Sequence, residues 1–479
     1  MENGLHKKYG LVTAICMVVG IVIGSGVFFK AQTILQKTGG NMALGIMAWL
    51  IGGAIMLCCI SAFAIMATKY EKVNGIVDYA EATVGSKYGY VVGWFMALIY
   101  YPSLVSVLAW LSARYTLVFL TTAFPSITLA IPAAEGGCVV GPECMALSVF
   151  MLCAAYAMNA LSPKLAGHFQ VGTTVIKMIP LLLLAVVGTA AGLFGEKGTL
   201  VENISYTGFS DTPNVNLLFG AVVATAFAYE GWIIATSINA ELKNSKKNLP
   251  IALITGGIII VAIYLFYFVG AAGGADVETL MNDGATVAFI NLFGGTFGNI
   301  LNLFVAISCM GTLNGLMLAC TRGLYAVAAR GEGPKPEMFG QIDKSTNMPN
   351  NAAILGLLLS AFWFFFFYGS NLAPFPWFGV FGFDSSELAI ITVYAMYIPI
   401  FINFMRKADD LGVGKRYVIP ALGIFGSMFM VFAALYAHGI QPYQAAAAEG
   451  RFACPVLFYL IIFAAVIALG LVFNRKRDK

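Results

Sequence analysis

Two apolar segments carry glycines or a charge at a depth where a membrane helix is normally unbroken. Residues 20–29 read GIVIGSGVFF, and residues 227–232 read FAYEGW. Gly24 and Gly26 fall in the middle of the first apolar run, and Gly weakens a helix by about 1 kcal/mol relative to Ala. Glu230 falls at a similar depth in the second run, where a carboxylate is costly unless it faces a cavity or a partner. We therefore expect both helices to be interrupted near the middle of a membrane.

The composition of the whole chain points to lipid as the solvent. Of 479 residues, 59% are hydrophobic and 10% are charged, whereas soluble domains carry about 25% charged residues. Apolar runs of about 20 residues, each able to cross a bilayer of about 30 Å as a helix, recur along the chain. The runs lie near 11–36, 42–67, 86–121, 143–160, 167–195, 215–240, 250–273, 286–329, 352–369, 376–405, 417–438 and 452–473. The pattern predicts an all-α membrane protein with twelve transmembrane helices.

The placement of Lys and Arg predicts the orientation. With the N-terminus inside, most of these residues fall in the inner loops and at the two chain ends, and the outer side carries Lys30, Lys37, Lys197 and Arg451. Positive charge accumulates on the cytoplasmic side of membrane proteins. We expect a multi-pass protein of the plasma (inner) membrane, bacterial in origin, with both termini cytoplasmic. The net charge of +4 is small and gives no reason to expect a nucleic-acid partner.

Several classes of chemistry find no support in the sequence. The His and Cys spacing matches no metal site, no His–Ser–Asp arrangement is evident, and no GxxxxGK[ST] phosphate loop is present. We expect neither an enzyme nor a protein with a metal or cofactor. Cys138 and Cys144 lie in the predicted outer loop between helices 3 and 4, where they form either a disulfide or two free thiols.

The two interrupted helices occupy matching positions in two halves of the chain. They begin two five-helix segments, near 11–195 and 215–405, which are followed by two further helices near 417–473. Such a pair is the best sequence indication of a transporter site at the bilayer midplane. The N-terminal end of a half-helix offers amides to a carboxylate, and a C-terminal end offers carbonyls to an ammonium. An α-amino acid fits both ends; the alternative is that the glycines only allow close helix packing.

Three pairs of motifs then identify a family resemblance. They are GIVIGSGVFF followed by TGG at 38–40, FAYEGW followed by NAELKNSKKNLP at 239–250, and AISCMGTLNG at 306–315 followed by TRGLYAVAARGEGP at 321–334. With these motifs in this order, nearly the whole chain resembles the amino acid–polyamine–organocation superfamily, and its L-type amino acid transporter branch most. The resemblance implies the LeuT fold, which consists of two inverted five-helix repeats and two further helices within one transmembrane domain, here 1–479.

The resemblance also implies roles for residues at the two breaks. Ser25 and its two neighbouring glycines would bind the substrate carboxylate, carbonyls near Ile21 and Phe227 would bind the α-amino group, and the Phe227 ring would gate the site. Tyr100 and Tyr101 in the third helix are further cavity candidates. The candidate substrate-binding residues are Ile21, Gly24, Ser25, Gly26, Phe227, Ala228, Glu230 and Gly231.

A lysine inside the fifth helix is the candidate coupling residue. By resemblance, Lys177 takes the place of the sodium ion of sodium-coupled relatives and links helix 1 to helix 8, where Ser308 is the matching hydroxyl. An unpaired ammonium at this depth would cost several kcal/mol. The alternative is that Lys177 snorkels, or pairs structurally with Glu230.

The acidic residues leave several roles open. Glu230 is a counter-charge for a cationic substrate, a proton site, or a hydrogen-bond acceptor for unwound amides. Asp384 and Glu387 lie one helical turn apart near the outer half of the tenth helix. They form either an acidic outer vestibule or a solvated helix end, and we expect the latter.

Together these patterns predict a secondary active transporter of an amino acid or related amine that works by alternating access. We expect a sodium-independent exchanger of cationic or neutral amino acids. The alternative is a proton-coupled symporter, or an antiporter of an amino acid and its amine product. The expected partners are the small-molecule substrate and the lipid bilayer, without an obligatory protein partner.

Overall fold

The computed structural model describes residues 10–70, 75–195, 199–208, 214–236 and 242–474, which form a bundle of helices. In the first half the helices are α1 (Leu11–Val22), α2 (Gly26–Lys37), α3 (Met42–Lys69), α4 (Ile76–Thr83), α5 (Ser86–Ala123), α6 (Pro142–Leu161), α7 (Lys164–Phe194) and α8 (Thr199–Ser205). In the second half they are α9 (Asn214–Ala228), α10 (Trp232–Ala235), α11 (Ser245–Ala272), α12 (Val277–Asp283), α13 (Ala285–Phe293), α14 (Gly295–Ala328), α15 (Asn350–Asn371), α16 (Ser385–Lys407), α17 (Gly414–Ala448) and α18 (Pro455–Phe473).

The number of spans agrees with the sequence. Among the described residues, 11 helices are long and apolar enough to cross a membrane, and α1 and α2 together form one further span that is bent by 48°. The twelve predicted spans and the all-α class are therefore confirmed, as is the LeuT-type architecture expected of them. The eighth span is shorter than predicted at its start. Gly294, with φ +78°, separates the short helix α13 from α14, so the span begins at Gly295.

The two bent or broken spans are held among long helices. We name the ends of the bundle by the predicted orientation, so the outer end carries residues 38–41 and the inner end carries residues 408–413. Helix α14 packs along α5, and α11 packs along both α1 and α3. Helix α9 packs against α2 and α3. The two interrupted spans therefore contact each other inside the bundle, where lipid cannot reach their backbones.

Helices α7 and α11 approach each other through glycines. A Cβ atom at Gly270 would lie 2.0 Å from the carbonyl oxygen of Leu184, and one at Gly188 would lie 2.2 Å from the carbonyl oxygen of Gly270. Real Cβ atoms do not come this close to backbone, so larger residues would force the helices apart. Small residues at a membrane helix interface allow the close packing that stabilises such pairs.

Replacing Gly270 by Val should therefore destabilise the protein. Overpacking a tight contact costs about 1–3 kcal/mol, and here the obstructing atoms are backbone. We expect the melting temperature of the detergent-solubilised protein to fall in Gly270→Val. Gly172→Val is the matched control, because no atom lies within 4 Å of a Cβ at that position of α7. Equal melting temperatures in the two variants would contradict this account of the interface.

Candidate functional site

The first interruption separates α1 from α2 at residues 23–25. Ser25 is fully buried, and its hydroxyl makes no hydrogen bond within the described residues, although the Cys309 thiol is near enough to interact weakly. A Cβ at Gly26 would lie 2.7 Å from the Cα of Ala228, so only glycine allows this approach. The break in the first span is thus pressed directly against the sixth span.

The second interruption separates α9 from α10 at residues 229–231. Gly231 has φ +104°, a left-handed conformation that favours glycine. Tyr229 donates its backbone N–H to Thr225, and the following residues leave the helical hydrogen-bond pattern. Both interruptions expected from the sequence are present, and they face each other.

A cavity of about 230 Å³ lies between the two interruptions. Helices α5, α7 and α14 complete its wall through side chains that include Tyr100, Gln170 and Thr312. The eight predicted substrate-binding residues all line it: Ile21, Gly24, Ser25, Gly26, Phe227, Ala228, Glu230 and Gly231. The geometry therefore brings the two predicted half-sites together, while their binding roles stay a prediction.

Lys177 lies at an interruption of its own in α7, where one helical stretch ends at Ile176 and the next begins at Met178. Its side chain is buried, and its Nζ donates to the carbonyl oxygen of Gly20 at 2.5 Å. Lys177 therefore contacts the last turn of α1 before the break. Among the described residues it forms no ion pair with Glu230 and no hydrogen bond with Ser308.

Ser308 does not line the cavity. It is buried in α14, its hydroxyl has no hydrogen-bond partner in the part of the chain that the structure describes, and its carbonyl oxygen accepts a hydrogen bond from Thr312 Oγ1 at 3.0 Å. Thr312 lines the cavity from α14 together with Gly315 and Leu316, and its Oγ1 would lie 2.7 Å from a Cβ at Gly24. Thr312 therefore contacts the first break from α14, as Cys309 does at Ser25.

Glu230 points from the second break toward α5. Its Oε1 accepts a hydrogen bond from the hydroxyl of Tyr100 at 2.6 Å, and its Oε2 has no partner among the described residues. The residue as a whole is 8% exposed. Of the two tyrosines expected near the cavity, Tyr100 lines it, and Tyr101 lines a second cavity on the inner side.

A cluster of charges that the sequence did not predict lies beyond the outer side of the cavity. Lys30 of α2 is buried and forms an ion pair with Glu387 of α16. The other oxygen of Glu387 lies 3.1 Å from Nε2 of His438 in α17. Neither a solvated helix end nor an acidic vestibule is therefore correct for Glu387, which is 3% exposed. Asp384 instead caps α16 by accepting from the backbone N–H groups of Ser386 and Glu387.

Aromatic and polar contacts close the same outer side. The Nζ of Lys30 lies 5.1 Å from the ring centroid of Phe227, a distance at which a cation is attracted to an aromatic face. Arg114 donates to Oε1 of Gln32 at 2.8 Å, and Gln32 donates to the carbonyl oxygens of Met281 and Asn282. These contacts tie α2 to α5 and to the outer connection between α11 and α14.

The inner side, in contrast, leads into a second cavity of about 440 Å³. The two cavities share Ile234 and Gly315 in their walls. At the inner rim, Arg330 forms ion pairs with Asp78 at 2.5 Å and with Glu81 at 2.7 Å, which fastens α4 to the end of α14. The outer side of the cavity is therefore sealed by side-chain contacts, whereas its inner side adjoins a second cavity.

Comparisons with known proteins agree with this architecture. The model of the family "Amino acid permease" matches residues 9–467. The serine/threonine exchanger SteT of Bacillus subtilis is 28% identical over 442 residues, which cover 90% of this chain and 91% of the relative. The human cystine/glutamate transporter is 24% identical over 90% of this chain and 81% of its own length. The mouse Asc-type amino acid transporter 1 is 26% identical over 72% of this chain and 62% of its own length.

These relatives are transporters and not enzymes, and they include members of the L-type branch. The family model covers nearly the whole chain, and its match includes both interruptions and the helices that surround the cavity. The chain belongs to the amino acid permease family of the amino acid–polyamine–organocation superfamily, and it is a multi-pass membrane transporter of amino acids.

Proposed function

We propose that this transporter is a sodium-independent exchanger that carries amino acids by alternating access. The observation that supports it most is the ammonium of Lys177 on the carbonyl of Gly20. In transporters with broken helices, unwound backbone carbonyls commonly coordinate a coupling cation. Here a covalently attached cation already occupies one of these carbonyls, so the empty carrier has no need of a sodium ion at that point.

The same breaks support recognition of an α-amino acid. The N-terminal end of α2, with the Ser25 hydroxyl unpartnered beside it, suits the substrate carboxylate. The carbonyls of Ile21 and Phe227, at the ends of α1 and α9, suit the α-ammonium. Both groups are common to all α-amino acids, so this part of the site would recognise any α-amino acid. The remaining residues of the cavity wall would then contact the substrate side chain and determine which amino acid is preferred.

Exchange is favoured over net transport by the serine/threonine exchanger among the relatives. The second candidate function is proton-coupled symport, or antiport of an amino acid and its amine product. It is supported by one specific observation, the buried carboxylate of Glu230 with one unpartnered oxygen in the cavity wall. The experiment below separates these modes.

We also propose that the chain lies in the plasma membrane with both termini cytoplasmic and works without an obligatory protein partner. In animal members of the L-type branch, the family resemblance implies a tethering cysteine in the outer loop between helices 3 and 4. Cys138 and Cys144 of this region are buried free thiols, which suits neither a disulfide between them nor a bond to a second protein.

The exchange proposal predicts uptake that depends on internal substrate. Proteoliposomes that contain the purified protein should take up radiolabelled serine only when they are preloaded with an accepted amino acid, because the empty carrier does not reorient rapidly. Sodium and a proton gradient should leave this homo-exchange unchanged. A panel of neutral and cationic competitors then ranks the substrates.

Protein-free liposomes are the control for leakage. Uptake into empty proteoliposomes that is driven by acid outside would contradict exchange and favour the proton-coupled symporter.

Removing the ammonium of Lys177 should impair transport more than folding. A hydrogen bond to a charged donor contributes about 1.5–3 kcal/mol, and about 1.4 kcal/mol changes an equilibrium tenfold. We expect Lys177→Met to lower the exchange rate by about tenfold or more. The melting temperature should stay near that of the wild type, because the variant loses the hydrogen bond but also no longer buries an ammonium. Lys164→Met, at an exposed lysine of the same helix, is the matched control. An unchanged rate in Lys177→Met would remove the main support for the proposal.

Breaking the outer ion pair should destabilise the sealed state. In Glu387→Gln the Lys30 ammonium stays buried without its anion, which costs about 3–5 kcal/mol. The melting temperature of the protein should therefore fall. It should largely recover in the double variant Lys30→Met/Glu387→Gln, because neither charge then remains.

The matched control is Asp410→Asn, which breaks the pair with Lys69, where Asp410 is 60% exposed. Exposed pairs contribute about 0–1 kcal/mol, so little change is expected. A double variant no more stable than Glu387→Gln would argue against a buried charge pair as the cause.

A further inference from the structure

Glu230 is a buried acid that forms an ion pair with no cation among the described residues. Tyr100 donates to one of its oxygens at 2.6 Å, and the Gly231 amide lies close to the carboxylate. Both donors are neutral. Among the residues that the structure describes, no Lys, Arg or His forms an ion pair with Glu230, and its second oxygen has no partner.

The groups that surround this carboxylate can be named helix by helix. They are Tyr100 and Tyr101 on α5, Tyr394 and Tyr397 on α16, and Cys59 on α3, each close enough to interact electrostatically with it. Lys177 lies across the cavity and is bound to the Gly20 carbonyl. All of these neighbours except Lys177 are uncharged at neutral pH.

Two of the neighbours are themselves incompletely satisfied. Within the described part of the chain, the hydroxyls of Tyr394 and Tyr397 are buried without a hydrogen-bond partner, although the Trp232 indole N–H is near Tyr394. Each hydroxyl therefore has a proton to donate and no acceptor there. Both lie near Glu230, whose second oxygen also lacks a partner among these residues, so the surroundings of the carboxylate are polar but uncharged.

A carboxylate in this setting needs either a proton or a cation. Burying an unpaired ion costs several kcal/mol even after relaxation, and neutral hydrogen bonds recover only part of this cost. A proton removes the charge, and a primary ammonium cancels it and also donates hydrogen bonds. Because Glu230 lines the cavity, both can reach it from the side where the substrate binds.

We propose that a proton and the ammonium group of a cationic substrate side chain occupy Glu230 in alternation. The proposal rests on the proposed exchange function and assigns the substrate range to neutral and cationic amino acids together. A neutral substrate is carried with Glu230 protonated, and a cationic substrate is carried with Glu230 ionised. When the ammonium arrives, the carboxylic proton leaves to water.

This alternation fixes the charge balance of exchange. The loaded site carries the same net charge with either kind of substrate. When one external cationic amino acid exchanges for one internal neutral amino acid, one positive charge enters with the substrate, and one proton leaves on Glu230. Such hetero-exchange is electroneutral and is coupled to a proton that moves opposite to the cation, whereas neutral homo-exchange moves no net proton.

Binding to the purified protein tests the alternation without transport. Lysine and norleucine are the probes, because they share a nearly equal side-chain length and differ in the terminal ammonium. Calorimetric titrations in buffers of different ionisation enthalpy, repeated between about pH 5 and 8, report proton release. We expect about one proton per bound lysine at the acidic end and none for norleucine. Lysine that fails to bind, or binds without releasing a proton, overturns the proposal.

Two substitutions assign the proton to Glu230. In Glu230→Gln, proton release should disappear, and the ratio of lysine to norleucine affinity should fall at least about tenfold, as for loss of a charged hydrogen bond. Glu230→Asp keeps a carboxylate and should retain proton release even if it binds both probes more weakly. Proton release that persists in Glu230→Gln would place the titrating group elsewhere, with Lys177 as the first alternative.

Proteoliposomes test the charge balance, and serine homo-exchange measured first in the same vesicles reports on the exchange function separately. Vesicles preloaded with norleucine then receive external lysine, with a pH indicator inside and the membrane potential set by potassium and valinomycin. We expect the interior to become alkaline and the rate to be independent of potential. Hetero-exchange that follows the potential without proton movement overturns the inference while leaving exchange intact. If serine homo-exchange is absent, the proposed exchange function is wrong. The calorimetric titrations then still test whether a proton and a substrate ammonium alternate at Glu230.

Discussion

Hydrocarbon cannot hydrogen-bond to a peptide group, and this constraint governs the centre of the molecule. Two spans give up helical hydrogen bonds at mid-membrane, at residues 23–25 and 229–231. The chain tolerates this because the two breaks face each other across one cavity, with Gly26 in near contact with Ala228. The helices around them exclude lipid, so the freed backbone groups face protein, water or cargo.

The breaks could be predicted from the sequence because the residues that disfavour a continuous membrane helix lie within the broken segment itself. A run of glycines or an acid inside an apolar segment carries a physical penalty that can be read without knowing its neighbours. The cavity follows from the same signal, since two breaks at matching positions must be satisfied together. This explains why every predicted substrate-binding residue lies in one cavity wall, whereas Ser308, assigned by resemblance alone, lies behind that wall and Thr312 reaches the cavity instead.

The outer charge cluster could not be predicted in the same way. Lys30 and Glu387 are 357 residues apart, and His438 lies a further 51 residues beyond Glu387. Each of these residues alone, near the end of an apolar run, is typical of a solvated helix end. Only the fold shows that Lys30 and Glu387 are buried together, with the half-buried His438 beside Glu387. The sequence nevertheless contains one indication of the pair. Lys30 lies in the outer half of one span and Glu387 in the outer half of another, and two opposite charges at a similar depth can form an ion pair.

The buried charged groups differ in their partners and in their places in the fold. Lys30 forms an ion pair with Glu387, Lys177 donates to a backbone carbonyl, and Arg114 contacts Gln32 and aromatic rings. These contacts join one helix to another, so they act on the relative stability of the carrier's states.

Glu230 differs from these groups because it is an acid in the cavity wall. It accepts a hydrogen bond from the neutral hydroxyl of Tyr100, and like Lys177 it lines the space that the substrate would fill. Proteins named for serine and threonine and for cystine and glutamate align with 90% of this chain. The backbone groups that would bind the α-carboxylate and the α-ammonium can stay the same in such relatives. A few side chains in the opposite wall of the cavity can then change which amino acid is carried. In this chain the residue at that wall is an acid, so the cargo that best satisfies it is one that brings either a positive charge or a proton.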